Sequence, residues 1–595
     1  FWADRYRTAP GLIWDLQNEP SVTVDANNPV HVELFRRYLV ETHGSEAAAR
    51  TWLGLDAQAE LRPVAGDGSW GDLQSVALYR FRTWLLRRWI NENVTGLREG
   101  NPNSLVTVGY LQSRPPADKI GGQVGLDFAN MHSYEPPRDL LSSLRFIDRR
   151  PLGQGLSMGE FGARNLHDLR VNGGDGEAGD QDRRRFVATL GTVLGAGGMS
   201  ALNWCFRGLP DTVFPWELFR ADRVGRPTLA DFQALTLFSR GLEPVYQPPS
   251  TYLLLPDHNR LGGRFNELDA AWMRAIEALH SLAVPYAPLP EEDLTIPAEA
   301  DTIVWPLPYG PDEATFQSVE AWVRAGGQLL LTGDVGFDDR RQYTMGDRLA
   351  RLGLPATRGL DPFSAPSTEA APVRVALGAG RVTFIPAPLE LGSLDQVRAA
   401  YDAFLTGAGA PRLVTTPEDD AQFTAAHGAD GSTLWVAANW SLDGDRPLTV
   451  GGVTMQVQAD SAGLARVAAD GAALGFVTSG DVSQGDVPLV RANGPLTVAA
   501  TDGAPLLTAT SLVVAPLGAT TATFATQHAW TAPVASIGLV RDGAWQELAR
   551  RPVAVQPGWL EFELGEDLLE TLVVIAEPAE QDAAQQRVVD MVGMR

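Results

Sequence analysis

A repeated alternation in the first 243 residues constrains this chain more than any other feature. Short β-rich runs, each ending in polar or aromatic residues, are separated by amphipathic helical stretches. Parallel strands need a crossover between them, usually a helix, so the pattern points to an α/β domain with a parallel sheet. Strands are expected at 11–17, 105–110, 126–133, 156–159 and 199–204, with the clearest helices at 76–98 and 182–194. A second α/β unit is expected at 250–411. Its strands lie at 251–255, 301–305, 327–332 and 380–385, and its helices at 267–283 and 313–325. From 412 to 578 short strands alternate with Gly, Asp and Asn turns, which predicts a β-sandwich or a pair of small β-domains. The tail, 579–595, reads as a charged helix or a disordered end. At 595 residues several cores are required in any case.

Charge and cysteine content remove several function classes. Aspartate and glutamate total 72 against 48 lysines and arginines, a net charge of −24 that disfavours nucleic acid or an anionic membrane as partner. A neutral substrate such as a sugar fits better. Cys205 is the single cysteine, so an intrachain disulfide and a cysteine metal cage are both excluded. That usage suits the cytoplasm. No apolar run approaches the roughly 18–20 residues of a membrane span, and the eight histidines show no metal-ligand spacing. Neither a metal nor a cofactor is expected.

Two carboxylates carry the chemistry. Asn18-Glu19-Pro20 follows the first strand directly, and Gly159-Glu160-Phe161-Gly162 closes the fourth. Hydrolysis of a glycosidic bond with retention needs two carboxyls about 5–5.5 Å apart, one attacking the anomeric carbon and one serving as acid and then base. Glutamates so distant in sequence meet only if the fold brings two strand ends together, as parallel barrel strands do. Asn18 is placed to hydrogen-bond a sugar 2-hydroxyl, or is a turn residue. His132, Tyr134 and Trp204 stand at the ends of the third and fifth strands, where core or rim packing is the plain reading. Trp70 and Trp216, in expected loops, are sugar platforms or buried anchors. Arg164 and His167 line the pocket or are solvated loop residues.

These motifs resemble the large glycosidase clan (clan A) whose (β/α)8 TIM barrels carry the acid/base after strand four and the nucleophile after strand seven. On that resemblance Glu19 is the acid/base and Glu160 the nucleophile. His132-Ser133-Tyr134 matches the clan's His-x-Tyr, whose tyrosine contacts the nucleophile, and Trp204 matches a sugar-stacking tryptophan. The run Phe35-Arg36-Arg37-Tyr38-Leu39, then Gly44, then Trp52-Leu53-Gly54, is similar to the family 42 β-galactosidases. Residues 319–332, with Trp322 and Gly326-Gly327, resemble that family's flavodoxin-like, amidotransferase-type trimerisation domain. An active amidotransferase is excluded, because the nucleophilic cysteine is missing from this region. A nucleotide site is excluded too, because Thr332-Gly333-Asp334 lacks the glycine fingerprint.

The resemblance implies a partial TIM barrel at 1–243, a trimerisation domain at 250–411, and an exo-acting retaining β-galactosidase or β-mannosidase. Its substrate would be a β-linked oligosaccharide or glycoside, and its assembly a homotrimer. Pro20 is instead like cellulases and mannanases, which keeps an endo-acting hydrolase open. A non-catalytic carbohydrate-binding or scaffold protein with a degenerate barrel is the alternative from another class. Three strands and their helices are expected to precede Glu19, in a longer product or another chain, or else the reading frame is truncated; without them this chain alone is expected to be inactive.

Overall fold

A computed structural model describes residues 2–9, 12–111, 125–162, 177–208, 217–292, 294–365, 368, 370–418, 420–565 and 571–592. Arg164, His167 and Trp216 lie outside these residues. Contacts group the chain into two compact units. One comprises Phe1–His132, Ser142–Leu156 and Pro248–Arg412; the other comprises Ser133–Leu141, Ser157–Gln247 and Leu413–Arg595.

In the first unit β1 (Ile13–Asn18) pairs in parallel with β2 (Leu105–Leu111), and β2 with β3 (Phe128–Ser133). Gly155, at the head of β4 (Gly155–Phe161), donates its N–H to the Asp127 carbonyl and so starts that strand beside β3. In the second unit β4 pairs in parallel with β5 (Ala201–Asn203). The sheet order follows the chain, β1-β2-β3-β4-β5, as the βα alternation predicts.

The helix Leu73–Gly100 shows why the crossovers pack. Asp72 caps it, accepting from the Gln74 and Ser75 N–H groups. Leu86, Ile90 and Val94 recur every fourth residue and cluster with Val106, Val108 and Tyr110 of β2. Its first turns bury Val76, Ala77 and Phe81 against Phe35, Tyr38, Leu39 and Trp52. Gly44 and Gly54 end the helices Pro29–His43 and Glu46–Leu53 in the left-handed conformation (φ 84° and 67°), which glycine adopts without steric cost. The stretch singled out after Glu19 is therefore one hydrophobic cluster with two helix stops.

The second sheet of this unit has six strands, in the order Val373–Leu377, Gly380–Ile385, Gln328–Thr332, Thr302–Trp305, Thr251–Leu255, Tyr286–Pro290. Its five parallel strands run 2-1-3-4-5, the flavodoxin-like order. The two outermost strands are absent from the sequence expectation. Pro288 and Pro290 argue against a strand, yet an edge strand tolerates them because one side of it needs no ladder donor. Val373–Leu377 pairs antiparallel as a hairpin arm, outside the βα period that revealed the others. Trp70 proves to be an anchor and not a sugar platform. It is buried edge-on to Phe337 at 5.2 Å, and its indole N–H donates to Asn259 Oδ1 at 2.7 Å.

Glu390, fully buried in this unit, accepts hydrogen bonds from Tyr401 Oη at 2.7 Å and Thr332 Oγ1 at 2.8 Å. Burial pushes its carboxyl up to about 7 from an ordinary 4.5. The native state therefore holds a proton that the unfolded chain has already released between those values. The stabilisation that this proton brings is fully present below about 4.5, is lost as pH rises towards 7, and is absent above it. The fall attributable to Glu390 is about 3 kcal/mol. Glu390→Gln should flatten this slope, so that urea titrations at pH 4.5 and pH 8 differ less for the variant than for the parent by about that amount.

The second unit holds two antiparallel sheets, of ten and seven strands, built mainly from residues 421–576. They pack closely at Gly463, where an added Cβ would come within 2.9 Å of Val457 Cγ2. The helix Glu177–Gly195 lies on the larger sheet through small residues; a Cβ on Gly195 would sit 2.1 Å from Thr424 Oγ1. The tail forms the helix Gln581–Val592. Ala584 and Val588, one turn apart, are fully buried in a cluster with Val574, Ala576 and Ala234. That apolar stripe settles the choice between helix and disorder at 581–592. Among the described residues no helix is long and apolar enough to cross a membrane.

Candidate active site

β1 delivers Asn18 and Glu19 at its carboxyl end. Glu19 turns the chain with φ 51°, left-handed for a residue that has a Cβ. Such a conformation costs about 1–3 kcal/mol and gathers at functional sites. Gly109 of β2 holds this corner from the next strand. It accepts the Glu19 N–H at 2.8 Å and donates its own N–H to Asp15 Oδ1 at 3.1 Å. Burial raises the Asp15 carboxyl above its ordinary value, against the lowering influence of the Gly109 N–H and of His132.

His132 reaches Glu19 from β3. Its ring is buried, and Nδ1 lies 3.1 Å from Glu19 Oε1. The glutamate side chain is a quarter exposed, so one carboxyl edge is fixed while the group still faces solvent. The ring fits only because residue 109 has no side chain: a Cβ there would stand 2.2 Å from His132 Nε2. A glycine inside a strand often marks such a close approach. Gly109 and Asp15 are the residues of this corner that sequence reasoning missed, and Val108-Gly109-Tyr110 was the available signal.

In the second unit Glu160, half-buried on β4, accepts a hydrogen bond from Tyr134 Oη at 2.7 Å. The next residue, Phe161, is fully buried against Phe186 at 5.5 Å between ring centres, which fixes the strand end carrying the carboxylate. Trp204, just after β5, donates its backbone N–H to the Phe161 carbonyl at 2.9 Å, and the residue is 42% exposed. The structure thus brings Glu19 together with His132, and Glu160 together with Tyr134. Asn18 is exposed beside Glu19. Glu19 and His132 are ligand-type side chains that approach one another, and their separation is that of a hydrogen bond.

Chemically, Tyr134 can hold one oxygen of the Glu160 carboxylate, and His132 can hold one oxygen of Glu19. Substituting Gly109 tests this support. Gly109→Ala should displace the imidazole, lower kcat about 10²-fold with little change in KM, and shift the acid limb or base limb of the pH–rate profile. A drop in thermal stability with an unaltered profile would show that the glycine serves packing alone.

No family model and no curated protein matches the sequence. Solved structures do. The fold is similar to that of a catalytic mutant of a GH42 β-galactosidase from G. stearothermophilus, with TM-score 0.61 and 16% identity over 78% of each chain. A cold-adapted β-galactosidase from a Rahnella species gives 0.62 and 14%, over 78% of this chain and 79% of that one. A β-galactosidase from Bacillus circulans sp. alkalophilus gives 0.59 and 14%, over 78% and 80%. At these identities the likeness is one of fold. The chain is a multidomain α/β protein with a TIM-barrel-like parallel sheet and β-rich C-terminal sheets, in the fold of the GH42 β-galactosidases.

Proposed function

We propose that this chain belongs to a retaining exo-β-glycosidase of the β-galactosidase or β-mannosidase type, with Glu160 as nucleophile and Glu19 as acid/base. One observation carries the reading. The two glutamates singled out by sequence stand at the carboxyl ends of strands of one parallel sheet, each hydrogen-bonded by a side chain that follows or ends β3. Barrel enzymes build their sites at that end.

The reaction follows from those roles. A Glu160 oxygen bonds to the anomeric carbon while the bond to the aglycone oxygen breaks, and that oxygen takes the electron pair and the Glu19 proton. Tyr134 stabilises the oxygen of Glu160 that does not attack. Water then gives a proton to Glu19, its oxygen attacks the anomeric carbon, and Glu160 leaves with the electron pair. Trp204 offers an exposed face for the sugar ring, and Asn18 is placed for its 2-hydroxyl. The flavodoxin-like domain is assigned to trimer assembly. Proton NMR during hydrolysis of aryl β-galactoside and β-mannoside, on the longest product of the gene, tests the mechanism. The β-anomer should appear first, and an initial α-anomer would refute double displacement.

A further inference from the structure

The flavodoxin-like sheet normally takes its ligand beyond the carboxyl ends of the strands, where the strand order reverses. Here that crevice, between the loops after Leu255 and Trp305, is filled. Trp70 occupies it, and the Arg341 guanidinium donates to the carbonyls of Trp70, His258, Asn259 and Leu261. Beside it, still at the carboxyl ends of Thr251–Leu255 and Tyr286–Pro290, lies an open groove of about 650 Å³. The helices Pro29–His43 and Leu73–Gly100 form its walls. Its size falls in the range of small-molecule sites, roughly 300–1,000 Å³.

We propose that this groove binds a neutral saccharide. Four arginines line it, and so do four carboxylates. Arg37 is paired with Glu41 at 2.7 Å and Arg88 with Glu92 at 3.1 Å, while Arg87 is paired with Glu292. Arg80 donates to His258 Nδ1 at 2.8 Å, which leaves that ring's Nε2–H for Asp312 at 3.2 Å. Three of the four arginines are matched by carboxylates, which leaves an entering phosphate or carboxylate little positive charge to meet. The Arg37–Glu41 and Arg88–Glu92 pairs each fix a guanidinium and a carboxylate side by side, so that donor and acceptor groups line the groove together. Neighbouring sugar hydroxyls, which both give and accept, need that mixture. Trp84, partly exposed, adds apolar surface that the C–H face of a sugar ring covers. The inference uses the first unit alone and does not depend on the role of Glu160.

Calorimetric titration tests it. Glu160→Gln is titrated with β-1,4-galactobiose, β-1,4-mannobiose and inorganic phosphate, with and without Arg88→Ala plus Asn91→Ala. Both groove positions are outward-facing enough to spare the fold. A disaccharide should show a binding event that the groove pair weakens about tenfold or more. The same pair in the parent chain should leave aryl-glycoside hydrolysis unchanged. If hydrolysis itself is absent, the groove event is still read by the titration, so the two assignments fail separately. Disaccharide heats indifferent to the groove pair would overturn the saccharide assignment. So would saturable phosphate binding there, or self-association that the pair abolishes.

Discussion

Glu160→Ala should lower kcat by about 10⁴-fold or more towards every β-glycoside the parent enzyme cleaves, because the covalent intermediate forms on this carboxylate. The surrounding strand should survive the change. Phe161 and Met158 anchor β4 from its buried face, whereas Glu160 itself is half-exposed. Thermal stability should therefore move little. The residual activity carries a stereochemical signature. Azide is small enough to enter the space vacated by the carboxylate and attacks from the nucleophile's side in a single displacement. The product is then the α-glycosyl azide. A variant that keeps parental activity, or one rescued to the β-azide, would remove Glu160 from the nucleophile's role.

The second large effect depends on the leaving group. Glu19→Gln should cost about 10²–10⁴-fold on substrates whose aglycone departs only as a protonated alcohol. It should cost little in the first step on dinitrophenyl glycosides, whose phenolate leaves unaided. The pH–rate limb that reports the acid should disappear as well. Because glutamine keeps an oxygen for the His132 Nδ1–H at 3.1 Å, the corner made by β1 and β2 should stay in place. Equal losses on good and poor leaving groups would mean that Glu19 is a positioning residue and not the proton donor.

The two glutamates were legible in sequence because strand ends carry little else that is acidic, and because Asn-Glu-Pro and Gly-Glu-Phe-Gly each follow an apolar run. Tyr134 was legible through the resemblance of His132-Ser133-Tyr134 to the clan's His-x-Tyr, and its hydroxyl does meet Glu160. The partner of His132 was not, since pairing with Glu19 depends on how β3 registers against β2 and on the bare backbone at Gly109. The core strands of both α/β sheets could be read from hydrophobic period. The edge strand Tyr286–Pro290 could not, because its prolines are acceptable only at a position that tertiary structure defines. Trp70 illustrates the same limit: its burial requires Asn259, Tyr309 and Phe337, all nearly two hundred residues or more away. Local pattern names the elements and the reactive groups; long-range packing decides which of them touch.

Covalent trapping tests the central assignment most directly. Incubation with a 2-deoxy-2-fluoro-β-glycosyl fluoride of the preferred sugar slows release of the intermediate and lets it accumulate. Peptide mass spectrometry should then find one added fluorosugar on Glu160, and no label after Glu160→Gln. A label on Glu19 or on another carboxylate, in an enzyme that is inactivated by the reagent, would contradict the assignment.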